Sequence, residues 1–260
     1  MIQKISLILL GCISIIGLLA PWLVPNDPLY VDITKKLSAP SATYPLGTDQ
    51  LGRCIFSRLL MGIRYCLGTG VIIMGLAVSA ALLISSVAVC KGGKVDSWFI
   101  RICDMLLAFP NVVLAFALVG MLGAGLKNII IAITFAQTVY YARIFRSWLL
   151  TVKQQDYIAA AKLSGTKGFW LFKRHLWPNI KHTLWTFIAL DMGKVLLEIS
   201  SFSFIGLGVQ APTPEWGMMV NEGKQYIRQY PEMTLYPGLA IMSIVVLFYL
   251  SGNGMRRNIR

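Results

Sequence analysis

The sequence predicts an all-α, polytopic membrane protein with six transmembrane helices. Three observations lead there. Of 260 residues, 56% are hydrophobic and only 13% charged, where a soluble domain carries about 25% charge. The apolar residues gather into runs near the roughly 20 residues that a membrane helix needs. Those runs are continuous, not alternating, which excludes the strands of a membrane barrel and leaves helices as the spanning structure. Internal repeats, low-complexity tracts and a second soluble domain are not visible, so residues 1–260 read as a single transmembrane domain.

The first run, Ile5–Val24, follows Lys4 and ends near Ala20. A secretory signal has a shorter apolar core, and Pro21-Trp22 sits where small residues should mark cleavage, so this run reads as an uncleaved span. A polar segment, Pro25–Arg64, comes next and carries Pro25, Pro28, Pro40 and Pro45. The second and third spans are Gly68–Cys90 and Trp98–Leu122. The fourth is Asn128–Leu150; Arg143 and Arg146 lie in its last third and should emerge at the interface. A basic stretch, Thr151–His182, separates it from the fifth span, Thr183–Gly208. A second polar segment, Val209–Thr234, holds Pro212, Pro214, Pro231, Trp216 and Tyr226, and the last span is Leu235–Ser251. Trp and Tyr suit the headgroup level. The two polar segments either contact an extracytoplasmic partner or simply cap the bundle.

The net charge of +13 would suggest nucleic acid in a soluble protein. Here the basic residues fall between and beside the apolar runs, which fits membrane orientation instead. With the N-terminus in the cytoplasm, fifteen of the 24 Lys and Arg residues lie inside, from Lys4 and Lys91 through Lys167 to Arg260. Eight lie outside: Lys35, Lys36, Arg53, Arg58, Arg64, Lys127, Lys224 and Arg228. Both termini are then cytoplasmic, as is Thr151–His182. The five cysteines form no CxxC pair and mostly sit in apolar runs, where cysteine acts as a small hydrophobe. There is no GxxxxGK[ST] phosphate loop and no catalytic or metal-ligand spacing; His175 and His182 both flank the basic stretch. The chain therefore reads as neither an enzyme nor a nucleotide binder.

Within the basic stretch, Asp156-Tyr157-Ile158-Ala159-Ala160-Ala161-Lys162-Leu163-Ser164-Gly165 predicts a short helix. Alanine, lysine and leucine favour helix, and Gly165 is a natural C′ stop. Ala160 and Ala161 would let a partner groove approach closely while Tyr157 and Leu163 anchor in it. The same pattern also suits an interfacial helix with lysines at lipid headgroups. In the fifth span, Asp191, Lys194 and Glu198 fall within about 60° of one helix face. Such groups at membrane depth either line a polar route or seat one helix against another as an ion pair, Asp191–Lys194 or Lys194–Glu198. Arg101 and Asp104 in the third span pose the same question, with a structural pair favoured.

Several ordered motifs resemble one family. Ala160-Ala161, Gly165 and Pro178 match the cytoplasmic "EAA" loop of ABC importer permeases, with Ala159 where that pattern has glutamate. Pro45-Leu46-Gly47-Thr48-Asp49-Gln50-Leu51-Gly52-Arg53 resembles a signature of the second permease subunit of dipeptide, oligopeptide and nickel importers, with Cys54 replacing its final acid. Gly92-Gly93-Lys94-Val95-Asp96, Arg101, Asp104, Phe109-Pro110 and the stretch Ser203–Gly217 fit the same family. Within it, Val119–Asn128, Lys162–Gly165, Glu215–Asn221 and Gln225–Ile227 look most like the nickel branch.

The resemblance implies a type I ABC importer fold in a bacterial-type inner membrane. It implies a homologous second permease subunit, two ATPase subunits docked on the Asp156–Gly165 helix, and an extracytoplasmic substrate-binding protein. ATP and magnesium would then be bound by the ATPases, with no cofactor on this chain. The cargo would be nickel or a nickel chelate, with dipeptides or oligopeptides as the alternative. The rival of another class is a solitary secondary transporter, which would carry inverted repeats and broken helices; the sequence displays neither.

Overall fold

The computed structural model describes residues 2–166 and 168–257. Lys167 and Arg260, counted above on the inner side, lie outside it, as do the side chains of Lys162, Arg256 and Arg257. Among the described residues, ten α-helices run in the order α1 (Ile2–Leu23), α2 (Ile55–Lys91), α3 (Gly93–Leu107), α4 (Asn111–Leu122), α5 (Leu126–Lys153), α6 (Asp156–Leu163), α7 (Gly168–Leu171), α8 (Trp177–Phe204), α9 (Trp216–Gly223) and α10 (Glu232–Arg257). A π-helical turn, Phe172–Leu176, joins α7 to α8. No strand occurs among the described residues.

Among the described residues, four helices are long and apolar enough to cross a membrane: α1, α2, α5 and α10. A fifth crossing exists only if α3 and α4 are taken together, and they bend by 80° at the intervening residues. This corrects the unbroken span Trp98–Leu122. The cause lies in Pro110, which has no N–H to donate and disfavours helical backbone at Phe109. The fifth predicted span, Thr183–Gly208, lies mostly in α8, which ends at Phe204 and is continuous but too charged to count on composition. Any eighteen-residue stretch of α8 contains at least three of Lys181, Asp191, Lys194 and Glu198. Helix α2 extends past the second predicted span, Gly68–Cys90: it begins at Ile55, and its 37 residues reach about 55 Å, so it projects beyond about 30 Å of hydrocarbon. The basic stretch Thr151–His182 is mostly helix, not loop.

Helix α2 packs along α5, α8 along α10, and α1 against both α2 and α10. The α2–α5 seam is made of small residues, with Ala77, Ala81, Ala132 and Ala136 all fully buried. Lipid tails are as apolar as the side chains, so close backbone approach does what hydrophobic exclusion does in water. On the α8–α10 seam, a Cβ on Gly193 would meet the Val245 carbonyl oxygen at 3.3 Å. Tyr141, Phe145 and Phe187 stack where α5 meets α8. A smaller core lies at the far end of α2, where Val89, Leu149, Ile158, Leu171, Leu176 and Ile180 are buried together.

Candidate functional site

The helix α6 hangs from the end of α5 and touches little else. Asp156 opens it, which places a negative charge at the positive end of the helix dipole. Ile158 is its one fully buried large apolar side chain among the described residues and sits in the small core under α7 and the π turn. Tyr157 is 47% exposed and Leu163 is 91% exposed; Ala160 is also exposed, and Ala161 half-buried. Gly165 has φ +89°, and the Thr166 N–H donates to the Ala161 carbonyl at 3.0 Å. That is the six-to-one bond of a Schellman cap, and it needs a left-handed residue at the Gly165 position. The helix thus presents Tyr157, Leu163 and the small residue Ala160 on an exposed surface, with Ala161 partly covered. Sequence reasoning named Tyr157, Ala160, Ala161, Leu163 and Gly165 but missed Ile158, the side chain that seats the helix. The Lys153 ammonium donates to the Val89 carbonyl and ties the end of α5 to the end of α2.

Asp191, Lys194 and Glu198 do share one face of α8, and that face meets α5. The Tyr141 hydroxyl donates to Asp191 Oδ2. Two turns along α8, Gln137 Nε2 donates to Glu198 Oε2 at 2.7 Å. Of the two ion pairs the sequence offers, the structure forms Lys194–Glu198, and only loosely, with 4.0 Å between Nζ and Oε1. The Lys194 ammonium also stands 4.9 Å from the centre of the Tyr140 ring. Arg101 and Asp104 do not pair with each other. Asp104 meets Arg143 of α5 at 3.2 Å, and Arg101 lies over Trp98. Asp96 takes both Arg146 Nε and Nη2, at 2.6 and 2.5 Å. Arg143 and Arg146 therefore serve as ties from α5 to α3.

The other end of α2 holds a charged cluster that sequence reasoning passed over. Asp49 Oδ2 accepts from Arg53 Nε at 2.7 Å and from Arg58 Nη1 at 2.5 Å. Glu222 of α9 accepts from Arg53 Nη2 at 3.0 Å and Arg58 Nη2 at 2.8 Å. Both arginines are buried. The backbone around them is equally fixed: Asp49 Oδ1 accepts from the N–H groups of Leu51 and Arg53. Gly52 has φ +76°, and a Cβ there would lie 1.8 Å from the Asp32 carbonyl oxygen. Nearby, buried Glu215 accepts from the N–H groups of Gly217 and Met218 and so caps α9. Trp216 Nε1 donates to the Leu59 carbonyl at 3.0 Å. The start of α2 with the segment before it thus meets α9 in one cap, through Arg53 and Arg58 to Glu222 and through Leu59 to Trp216. The available signal was the density of charge in Asp49, Arg53 and Arg58, next to a span and never paired with Glu222.

Comparison with known proteins agrees with this architecture. Residues 73–260 match the family described as binding-protein-dependent transport system inner membrane component. The nickel transport system permease protein NikC of Escherichia coli (strain K12) is 39% identical over 97% of this chain and 91% of its own length. The glutathione transport system permease protein GsiD of Shigella flexneri is 36% identical over 93% of this chain and 80% of its own. The probable D,D-dipeptide transport system permease protein DdpC of Escherichia coli (strain K12) is 34% identical, over 96% and 84%. A solitary secondary transporter is thereby set aside, although the α3–α4 break is a feature that class would share. The chain belongs to the binding-protein-dependent transport system inner membrane components, as a non-enzymatic permease subunit of the peptide and nickel group of ABC importers.

Proposed function

We propose that this chain forms half of the translocation pathway of an ATP-driven importer for nickel or a nickel chelate. A second, homologous permease supplies the other half, an extracytoplasmic binding protein delivers the cargo, and two ATPase subunits power the cycle. On this reading α8 is a crossing despite its charges, α3 and α4 together make another, and the crossings number six with both termini inside. The helix α6 is the contact with an ATPase. The observation that carries the reading is α6 itself: a capped helix at one end of the bundle with Tyr157 and Leu163 exposed. Nucleotide can shift such a protein between inward and outward states only through contacts that differ between them, and the bare surface of α6 supports that role. Nickel is favoured over peptides by the higher identity and coverage of the nickel permease, set against the glutathione and dipeptide permeases.

The test of the class is copurification from cells that carry the complete importer; a chain that brings down no ATPase overturns it. Gly165→Leu tests the coupling helix. Leucine is disfavoured at φ +89°, so the exit of α6 should be re-aimed and transport lost while membrane insertion stays intact. Normal uptake with normal ATPase stimulation in that variant would remove α6 from the coupling path. Uptake of radiolabelled nickel, with and without chelators, beside a labelled dipeptide decides the cargo. Peptide uptake with no nickel uptake would move the chain to the peptide branch. Orientation is read by thiol labelling: Leu163→Cys should react only with a permeant reagent, Lys224→Cys with either kind.

A further inference from the structure

The face where α8 meets α5 holds an acceptor surplus that nothing among the described residues fills. Gln137 and Glu198 are joined by one hydrogen bond, which uses Gln137 Nε2 and Glu198 Oε2. Their remaining oxygens, Gln137 Oε1 and Glu198 Oε1, are both buried and both without a hydrogen-bond partner. Gln137 is fully buried, and the Glu198 side chain is only 9% exposed. Buried acceptors are almost always satisfied, and leaving one bare costs the desolvation of that group. The nearest cation is Lys194, 4.0 Å from Glu198 Oε1, too far for a hydrogen bond. Its ammonium is held as much by the Tyr140 ring, at 4.9 Å, and its side chain is 44% exposed. Asp191, on the same face, is occupied by the Tyr141 hydroxyl.

We propose that Glu198 and Gln137 form a transit site for the positively charged group of the cargo, and that Lys194 is its built-in, displaceable occupant. A lysine on a flexible stem, shared between a carboxylate and an aromatic face, can swing away at little cost. While the site is empty it partly neutralises Glu198. When cargo passes, the cargo's cation takes the two bare oxygens and Lys194 retreats over Tyr140. A permanently paired carboxylate would hold nothing, and an unpaired one would hold a cation too long; a loose internal competitor gives an affinity that permits release. The cation is a hydrated divalent metal or the ammonium of a peptide, which present the same charge-assisted donor chemistry.

This inference rests on the permease reading, and its test keeps the two apart. The complete importer is assayed for uptake and for ATP hydrolysis stimulated by the loaded binding protein. Hydrolysis reports the assembled machine, and its persistence leaves the importer reading intact whatever uptake does. In the double variant Lys194→Met/Glu198→Gln both charges are gone and no buried charge is stranded. Its uptake should fall at least tenfold at normal protein levels; wild-type uptake would mean the pair only seats the helices, and overturns the proposal. Should that variant fail to accumulate, Glu198→Asp puts the same question, because it keeps the charge but withdraws the oxygens by one methylene. A tenfold loss of uptake at normal levels supports a transit site there, and unchanged uptake overturns it. Radiolabelled nickel(II), a free dipeptide and its N-acetyl derivative identify the cation. Equal transport of the free and N-acetylated peptides, with no nickel uptake, would show that no cationic group is read, and would also overturn the proposal.

Discussion

The two ends of α2 are built on opposite principles. At one end, four short charged contacts join Asp49, Arg53, Arg58 and Glu222, two of them tie this end to α9, and both arginines are buried. At the other end, α6 is seated by Ile158 and a small apolar core, and most of its surface is left bare. Buried ion networks are costly to assemble and costlier to break, because removing one member strands the others. An apolar seat is tolerant and can slide or undock in part. The difference separates a cross-linked end from a lightly held one. The cap is joined by buried charge, and α6 is seated by one buried side chain and closed by a glycine stop.

The largest effect should come at the charged end. Asp49→Ala removes the carboxylate shared by Arg53 and Arg58 and leaves two buried guanidinium groups with Glu222 alone. The cost should be about 3–5 kcal/mol, a large part of the roughly 5–15 kcal/mol that holds a typical protein folded. The variant should accumulate poorly and lose most of its thermal stability after solubilisation. A companion change, Arg58→Met, should restore part of the level. Normal accumulation of Asp49→Ala alone would show that the cluster is not the lock argued here.

The second is at the compliant end. Ile158→Ala deletes a buried side chain, which typically costs about 2–5 kcal/mol. Here the loss should appear locally, because α6 packs against so little of the bundle. Protein levels should stay near normal while hydrogen exchange speeds up across Asp156–Leu163 and uptake falls. Global loss of folded protein, to the degree of Asp49→Ala, would erase the distinction between the two ends.

How much of this was legible in the sequence depended on the range of the signal. The long apolar runs of α1, α2, α5 and α10 are local, and so is the Gly165 stop; each could be read directly. The Phe109-Pro110 break is also a local signal, because proline both lacks the N–H and restricts the residue before it, but as a family motif it carries no such message. The cap was hidden for another reason. Arg53 and Glu222 are 169 residues apart, and no periodicity links them, so only the folded chain brings them together. Asp191, Lys194 and Glu198 were placed on one face correctly, yet their partners Tyr141 and Gln137 come from α5. A single helix cannot reveal which neighbour its polar face will meet. Ile158 was legible as apolar but not as an anchor, because its core is gathered from α2, α5, α7 and α8.

The smallest expected effect sharpens the comparison most. The helix α3 is tied to α5 by two ion pairs of the same chemistry and different exposure. In Asp96–Arg146 the side chains are 20% and 19% exposed and the contact is bidentate. In Asp104–Arg143 they are 52% and 51% exposed, with a 3.2 Å contact. If burial, rather than charge alone, makes the cap rigid, these pairs should already differ. Asp104→Ala should change stability by less than about 1 kcal/mol, as exposed pairs do. Asp96→Ala should cost more, because a fixed, half-covered guanidinium then loses both its acceptors. Thermal unfolding of the two variants in one detergent, at low and high salt, measures this. Salt should erode the Asp104 contribution and spare most of the Asp96 one, since screening reaches exposed charges first. Equal destabilisation of both variants, with equal salt dependence, would mean that burial is not what separates the locked end of this chain from the compliant one.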